Sequence, residues 1–258
     1  MKRLAIIAAA AALGLVASAA SANDWKTIRI GVEGAYPPFS ETTPSGELKG
    51  FDIDIALALC EQMQAQCELV KQDWDGIIPA LLAKKYDAII ASMSITPERK
   101  KKVNFSNKYY STPGKFVAKE GVDWKDNNDG LKGKVVGVQR GTTHHDYMVK
   151  RFPDVELKLY GTQEEVILDL QAGRIDAVMS DSVQMQEGFL KTADGKGFGF
   201  FGGVHNDPEI HGEGAGIAIR KEDDDLRMMF NEAIDAIRAN GTYDKIAEQY
   251  FDFNVYGS

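Results

Sequence analysis

The sequence predicts an α/β protein made of two doubly wound lobes. Three observations carry that reading. Strand and helix patterns alternate from residue 27 to 92, the alternation returns from 135 to 179, and short stretches of the two halves echo each other. In the first half, Thr27 to Glu33 alternates Ile28, Ile30 and Val32 as a strand does, and Gly34 with Pro37-Pro38 ends it. Asp52 is expected to cap a helix whose apolar residues Ile55, Ala58, Leu59 and Met63 recur at helical spacing. Cys67 to Val70 reads as a second strand, Ile77 to Lys84 as a helix, and Asp87 to Ser92 as a buried strand.

In the second half, Val135 to Val138 is a strand with helix signals after Thr142, and Val155, Leu157 and Leu159 alternate again. Thr162-Gln163-Glu164-Glu165 is a capping box that opens a helix, Gly173 suits its C-terminal cap, and Ile175 to Met179 is the next buried strand. The echoes pair Ile30-Gly31-Val32 with Val136-Gly137-Val138, and Lys85-Tyr86-Asp87-Ala88 with Arg174-Ile175-Asp176-Ala177. The tail differs. Leu226, Met229, Phe230, Ala233, Ile234 and Ile237 mark an amphipathic helix, Asn240-Gly241 ends it, and Thr242 to Tyr250 forms a second short one.

The start of the chain reads as a signal peptide. Lys2 and Arg3 precede the apolar run Leu4 to Val16, and Ala20-Ser21-Ala22 offers small residues for cleavage after Ala22. That run is too short for a spanning helix, and nothing later is apolar enough to replace it. The mature protein is therefore expected to be exported and soluble. Losing Lys2 and Arg3 takes the formal charge from −8 to −10, an acidic balance that argues against nucleic acid as a partner. The two cysteines, Cys60 and Cys67, read as a disulfide in an exported chain. They lack the C-x-x-C spacing of a redox site and a nearby His for a metal site. Closing so short a loop removes roughly 2.5 kcal/mol of unfolded-chain entropy.

Enzymatic signatures are sparse. The chain has four histidines and no G-x-S-x-G, H-E-x-x-H, P-loop or G-x-G-x-x-G between a strand and a helix. Gly212-x-Gly214-x-Gly216 precedes the apolar Ile217 to Ile219 and reads as a flexible crossover. Binding chemistry is better represented. In Ser92-Met93-Ser94-Ile95-Thr96-Pro97-Glu98-Arg99 a buried strand ends in hydroxyls, Thr96 can cap a helix and Pro97 suits its first position. Backbone N–H groups there plus the Arg99 guanidinium can hold a carboxylate; a plain helix start with a surface Arg fits the same residues. Gly141-Thr142-Thr143 is a second such turn, or simply a glycine turn with a Thr cap. Asp181 can receive an ammonium group, or lie on the solvated surface. Tyr36, Trp74 and Tyr109 can pack in the core or stack on a ligand.

At these segments the chain resembles the periplasmic polar-amino-acid-binding proteins of ABC importers, above all their lysine/arginine/ornithine- and histidine-binding members. The matching stretches are I-R-I-G-V-E-G-A-Y-P-P-F (28–39), G-F-D-I-D-I-A (50–56), D-W-D-G-I-I-P-A-L (73–81), D-A-I-I-A-S-M-S-I-T-P-E-R (87–99), G-E-G-A-G (212–216) and N-G-T-Y-D-K-I-A-E-Q-Y-F-D-F-N-V-Y-G (240–257). The resemblance implies the type II periplasmic-binding fold: residues 23–110 and 215–258 as one lobe, 115–205 as the other, and a hinge at 111–114 and 206–214. It also implies a disulfide between Cys60 and Cys67. It implies that Arg99 grips an α-carboxylate with help from Ser94 and Thr143, and that Asp181 takes the α-ammonium group with Ser92. Tyr36 and Trp74 would sandwich the ligand side chain, and Glu33 would meet its distal cation. Ala91 and Met93 would complete the first lobe's wall, with Gln139, Thr142 and His144 lining the second.

Charge counting agrees with a cationic ligand. Arg99 and Asp181 neutralise a zwitterion and leave Glu33 over, and a buried carboxylate is costly without a partner. The chain departs from the lysine/arginine/ornithine binders at Glu33, Trp74, Ala91, Gln139 and His144, where they carry Asp, Phe, Ser, Leu and Gln. Those changes leave the α-amino-acid grip intact and bear on the side chain. The expected ligand is arginine or ornithine, then lysine, then histidine; the alternatives are an opine, or dehydratase chemistry on arogenate or prephenate. The expected partner is a permease in the inner membrane, reached as a monomer. No cofactor, metal or catalytic residue is assigned.

Overall fold

The computed structural model describes residues 25–257; the expected signal peptide and its cleavage site lie outside the described residues. No helix among them is long and apolar enough to cross a membrane. The chain forms two five-stranded sheets of the same design. The first runs Gln66–Lys71, Thr27–Val32, Ala88–Ile89, Ala215–Ile219 and Asn104–Tyr110, and the second runs Glu156–Tyr160, Val135–Gln139, Ala177–Asp181, Gly114–Lys119 and Phe198–His205. In each sheet the first three strands are parallel, the fourth runs antiparallel to them, and the fifth is antiparallel to the fourth and so runs with the first three. The chain passes from the first sheet to the second through residues 111–113, and returns between His205 and Ala215.

The two sequence echoes have one physical cause. Asp87 accepts the backbone N–H of Arg29 at 3.0 Å, and Asp176 accepts that of Val135 at 2.8 Å. Each carboxylate thus ties the entry of its sheet's third strand to the neighbouring second strand, Thr27–Val32 or Val135–Gln139. The paired glycines permit a close approach beside it. A Cβ on Gly31 would lie 2.5 Å from the Tyr86 ring, and one on Gly137 would lie 2.5 Å from Ile175.

The helices follow the apolar spacing, with corrections at their ends. Asp52 does not cap the first helix. That helix, Phe51–Gln62, starts after Gly50, whose φ of 126° admits only glycine readily, and Asp52 is buried in its first turn. Thr96, Thr142 and Thr162 do cap their helices, the last within a full capping box, and Pro97 opens its helix. The strand expected over Ile175 to Met179 runs from Ala177 to Asp181, and only Ala88–Ile89 of the expected Asp87 to Ser92 strand is paired. The strands Asn104–Tyr110, Gly114–Lys119 and Phe198–His205 were not evident from alternation. Gly114–Lys119 is buried on both faces, and Phe198–His205 is a glycine-rich edge strand. The helix Asp224–Ala239 buries Leu226, Phe230, Ala233, Ile234 and Ile237 in the core of the first lobe, with Met229 at its margin. Cys60 and Cys67 are disulfide-bonded and staple the helix Phe51–Gln62 to the strand Gln66–Lys71.

Candidate functional site

Between the sheets lies a cleft of about 740 Å³, part of it open to solvent. The parallel strands of both lobes end at it. Glu33 follows Thr27–Val32, Ala91 to Ser94 follow Ala88–Ile89, and Gln139 and Asp181 are themselves last residues of their strands. An open α/β sheet binds ligands there because each strand delivers a side chain to one edge without blocking it.

Of the expected site residues, Glu33, Tyr36, Trp74, Ala91, Ser92, Ser94, Arg99, Gln139, Thr142, Thr143, His144 and Asp181 line the cleft. Met93 does not. Its side chain is fully buried among Ile77, Leu81, Tyr86 and Phe105. Tyr109 is also core rather than cleft; its neighbour Tyr110 reaches the wall. Sequence reasoning missed Tyr110, Ser111, Thr112, Gln163, Ser180, Asn206 and His211 as lining residues. Most of these lie at or beside the two crossovers. The expected hinge positions were therefore the available signal.

Arg99 is held from both lobes. Its guanidinium donates to the Ser94 carbonyl at 3.0 Å and to the Gly141 carbonyl at 3.3 Å, and it lies 5.3 Å from the Trp74 ring centre. Burial brings its pKa down to about 10, so it stays charged at neutral pH. Thr142 is occupied within the chain: its hydroxyl donates to the Gln139 carbonyl at 2.8 Å and accepts the His145 N–H at 3.2 Å.

The two cleft carboxylates are 5% and 7% exposed for Glu33 and Asp181. Asp181 accepts the Val183 and Gln184 N–H groups at 2.8 and 3.0 Å, and also the Thr112 hydroxyl. Burial raises its pKa against these donors. Glu33 accepts one hydrogen bond, from Gln139 of the other lobe at 2.6 Å. Burial, chiefly, pushes its pKa up to about 7. At the same turn Arg140 pairs with Asp75 at 2.8 Å. Gln139, Arg140 and Gly141 thus each meet the first lobe.

Two histidines complete the second lobe's side. His144 and His211 are 5.7 Å apart between ring centres. Nδ1 of His144 and Nε2 of His211 are buried with no hydrogen-bond partner among the described residues. Burial takes the His144 pKa down to about 3, which leaves the ring neutral. His211 accepts the Asp207 N–H on Nδ1, which places its proton on the unpartnered nitrogen.

A two-lobed α/β fold with an enclosed polar cleft at the carboxyl ends of its parallel strands defines a small-molecule-binding protein. Residues 28–253 match the bacterial extracellular solute-binding proteins, family 3, and the chain belongs to that family. It is 52% identical over 260 residues to the L-arginine-binding protein of Pseudomonas aeruginosa, covering 100% of both chains. It is 43% identical over 255 residues to the lysine/arginine/ornithine-binding periplasmic protein of Escherichia coli K12, covering 98% of each. Among solved structures, a Salmonella typhimurium periplasmic binding protein of high arginine specificity matches with a TM-score of 0.81 at 32% identity, over 88% of this chain and 99% of that one.

Proposed function

We propose that this protein captures a cationic L-amino acid in the periplasm, closes its lobes on it and delivers it to an ABC permease in the inner membrane. Arginine or ornithine is the first ligand, then lysine or histidine. The observation that carries the reading is the isolated Glu33 carboxylate, buried with one neutral hydrogen-bond partner. A guanidinium or ammonium group beside it removes the cost of burying that charge. In this reading Arg99, with Ser94 and Thr143, holds the α-carboxylate, and Asp181 with Ser92 holds the α-ammonium group. Tyr36 and Trp74 flank the side chain. The arginine- and lysine/arginine/ornithine-binding relatives support the same ligand class.

The protein acts as a monomer and as a binder rather than a catalyst. Three donors hold the Asp181 carboxylate in one orientation, which suits receiving an ammonium group. An opine is the second reading, favoured by the unpartnered nitrogens of His144 and His211, which can serve a second carboxylate. A thermal-shift panel of the free amino acids and opines at one concentration tests both, since a ligand raises the melting temperature with the logarithm of its affinity. Arginine and ornithine should give the largest shifts. A larger shift with octopine or nopaline selects the second reading, and no shift with any cationic amino acid refutes the first.

A further inference from the structure

Ser92 has φ 52°, a left-handed backbone that a non-glycine residue keeps only when its surroundings impose it. Both of its hydrogen-bond donors are tied to one buried system. Its N–H donates to the Tyr109 hydroxyl at 3.1 Å, and that hydroxyl donates to one Asp52 oxygen at 2.8 Å. The Ser92 hydroxyl donates to the other Asp52 oxygen at 2.9 Å. Asp52 and Tyr109 are fully buried and off the cleft wall, whereas Ser92 lines it.

A serine hydroxyl has one proton and two lone pairs. Burial lifts the Asp52 pKa to about 7, so above neutral pH the carboxylate is ionised and can only accept. With its proton given to Asp52, Ser92 Oγ then presents only lone pairs to the cleft. We infer that Asp52 is a positioning residue: without touching the ligand it sets the hydrogen-bond polarity of Ser92, making that hydroxyl an obligate acceptor for the ligand's α-ammonium group. The inference rests on the amino-acid-binding reading of the cleft.

Asparagine at this position would reverse the polarity. The Tyr109 hydroxyl already accepts from Ser92 N–H, so its proton must go to the side-chain oxygen at position 52. The amide NH2 would then face Ser92 Oγ, which would accept from it and turn its own proton toward the cleft. An ammonium group would meet a donor instead of an acceptor.

The test compares arginine with 5-guanidinopentanoic acid, its analogue without the α-amino group, by calorimetry. Wild-type protein should prefer arginine. Asp52→Asn should shrink the ratio of the two affinities at least tenfold, and should have no further effect on that ratio in a Ser92→Ala background, since the coupling runs through Ser92. Tyr109→Phe keeps the carboxylate and its bond from Ser92, so the ratio should survive. That arm decides the matter even if Asp52→Asn does not fold: a ratio that collapses with Tyr109→Phe shows that any damage to the buried system has the same effect, and overturns the inference. An unchanged ratio in folded Asp52→Asn also overturns it while leaving the amino-acid reading in place. Wild-type protein that binds both compounds equally overturns that reading and the inference together.

Discussion

Asp181 and Glu33 are both carboxylates sealed into one cleft, and the chain treats them oppositely. Asp181 caps a helix and draws three donors from its own lobe and the adjoining crossover. Among the described residues Glu33 has only the amide of Gln139, reached across the cleft. The first is organised before any ligand arrives. The second is left incomplete, and closing the lobes without a cation strands it. Burial that lifts its pKa from 4.5 to about 7 corresponds to roughly 3 kcal/mol against the ionised form. In the proposed function the difference separates two tasks: one end of the cleft recognises what all amino acids share, and the other makes closure conditional on a positive charge.

The comparison can be broken from either end. Arg99→Ala and Asp181→Ala should each weaken every amino acid by roughly a hundredfold to several thousandfold, since each leaves a ligand charge buried and unpaired, which costs about 3–5 kcal/mol. Calorimetry with arginine, lysine and histidine checks this; survival of any one at near wild-type affinity would remove that residue from the common grip.

The Glu33 end should respond to pH through selectivity. With citrulline, the neutral isostere of arginine, the closed protein keeps Glu33 near its raised pKa of about 7 and takes up a proton as pH falls. With arginine the adjacent cation holds Glu33 ionised. Protonation therefore favours the citrulline complex alone, and the preference for arginine should fall by up to tenfold per pH unit below about 7. Groups at the α-amino-acid end meet the same atoms in both ligands, so their titration cancels from the ratio. A preference unchanged from pH 8 to pH 5 would contradict this account of Glu33. The smallest effect belongs to the Arg140–Asp75 pair at the cleft mouth, about half exposed on both sides. Arg140→Ala should weaken arginine only about two- to fivefold, through faster release, in line with an exposed ion pair.

Much of this was legible in the sequence. The doubled lobe shows in Asp87 and Asp176, because the same carboxylate-to-strand tie recurs with the same glycine before it. Arg99 and Thr142 were legible because caps and turns are local chemistry. Asp52 was misread: an acid before an apolar helical pattern looks like a cap, and its true partners Ser92 and Tyr109 are distant in sequence. His211 escaped notice because its helix, Pro208–His211, is too short to show a period. Met93 came from the resemblance alone, and its burial depends on Ile77, Leu81, Tyr86 and Phe105, which only the fold makes its neighbours.

The most direct test of a charge-conditional closure is calorimetry of wild-type protein and Glu33→Gln with arginine and citrulline at pH 8. Wild-type protein should prefer arginine strongly. Glu33→Gln should lose most of that preference, by weakening arginine while binding citrulline as well as or better than wild type. If Glu33→Gln binds arginine with unchanged affinity, the cationic group is recognised elsewhere and the central claim fails.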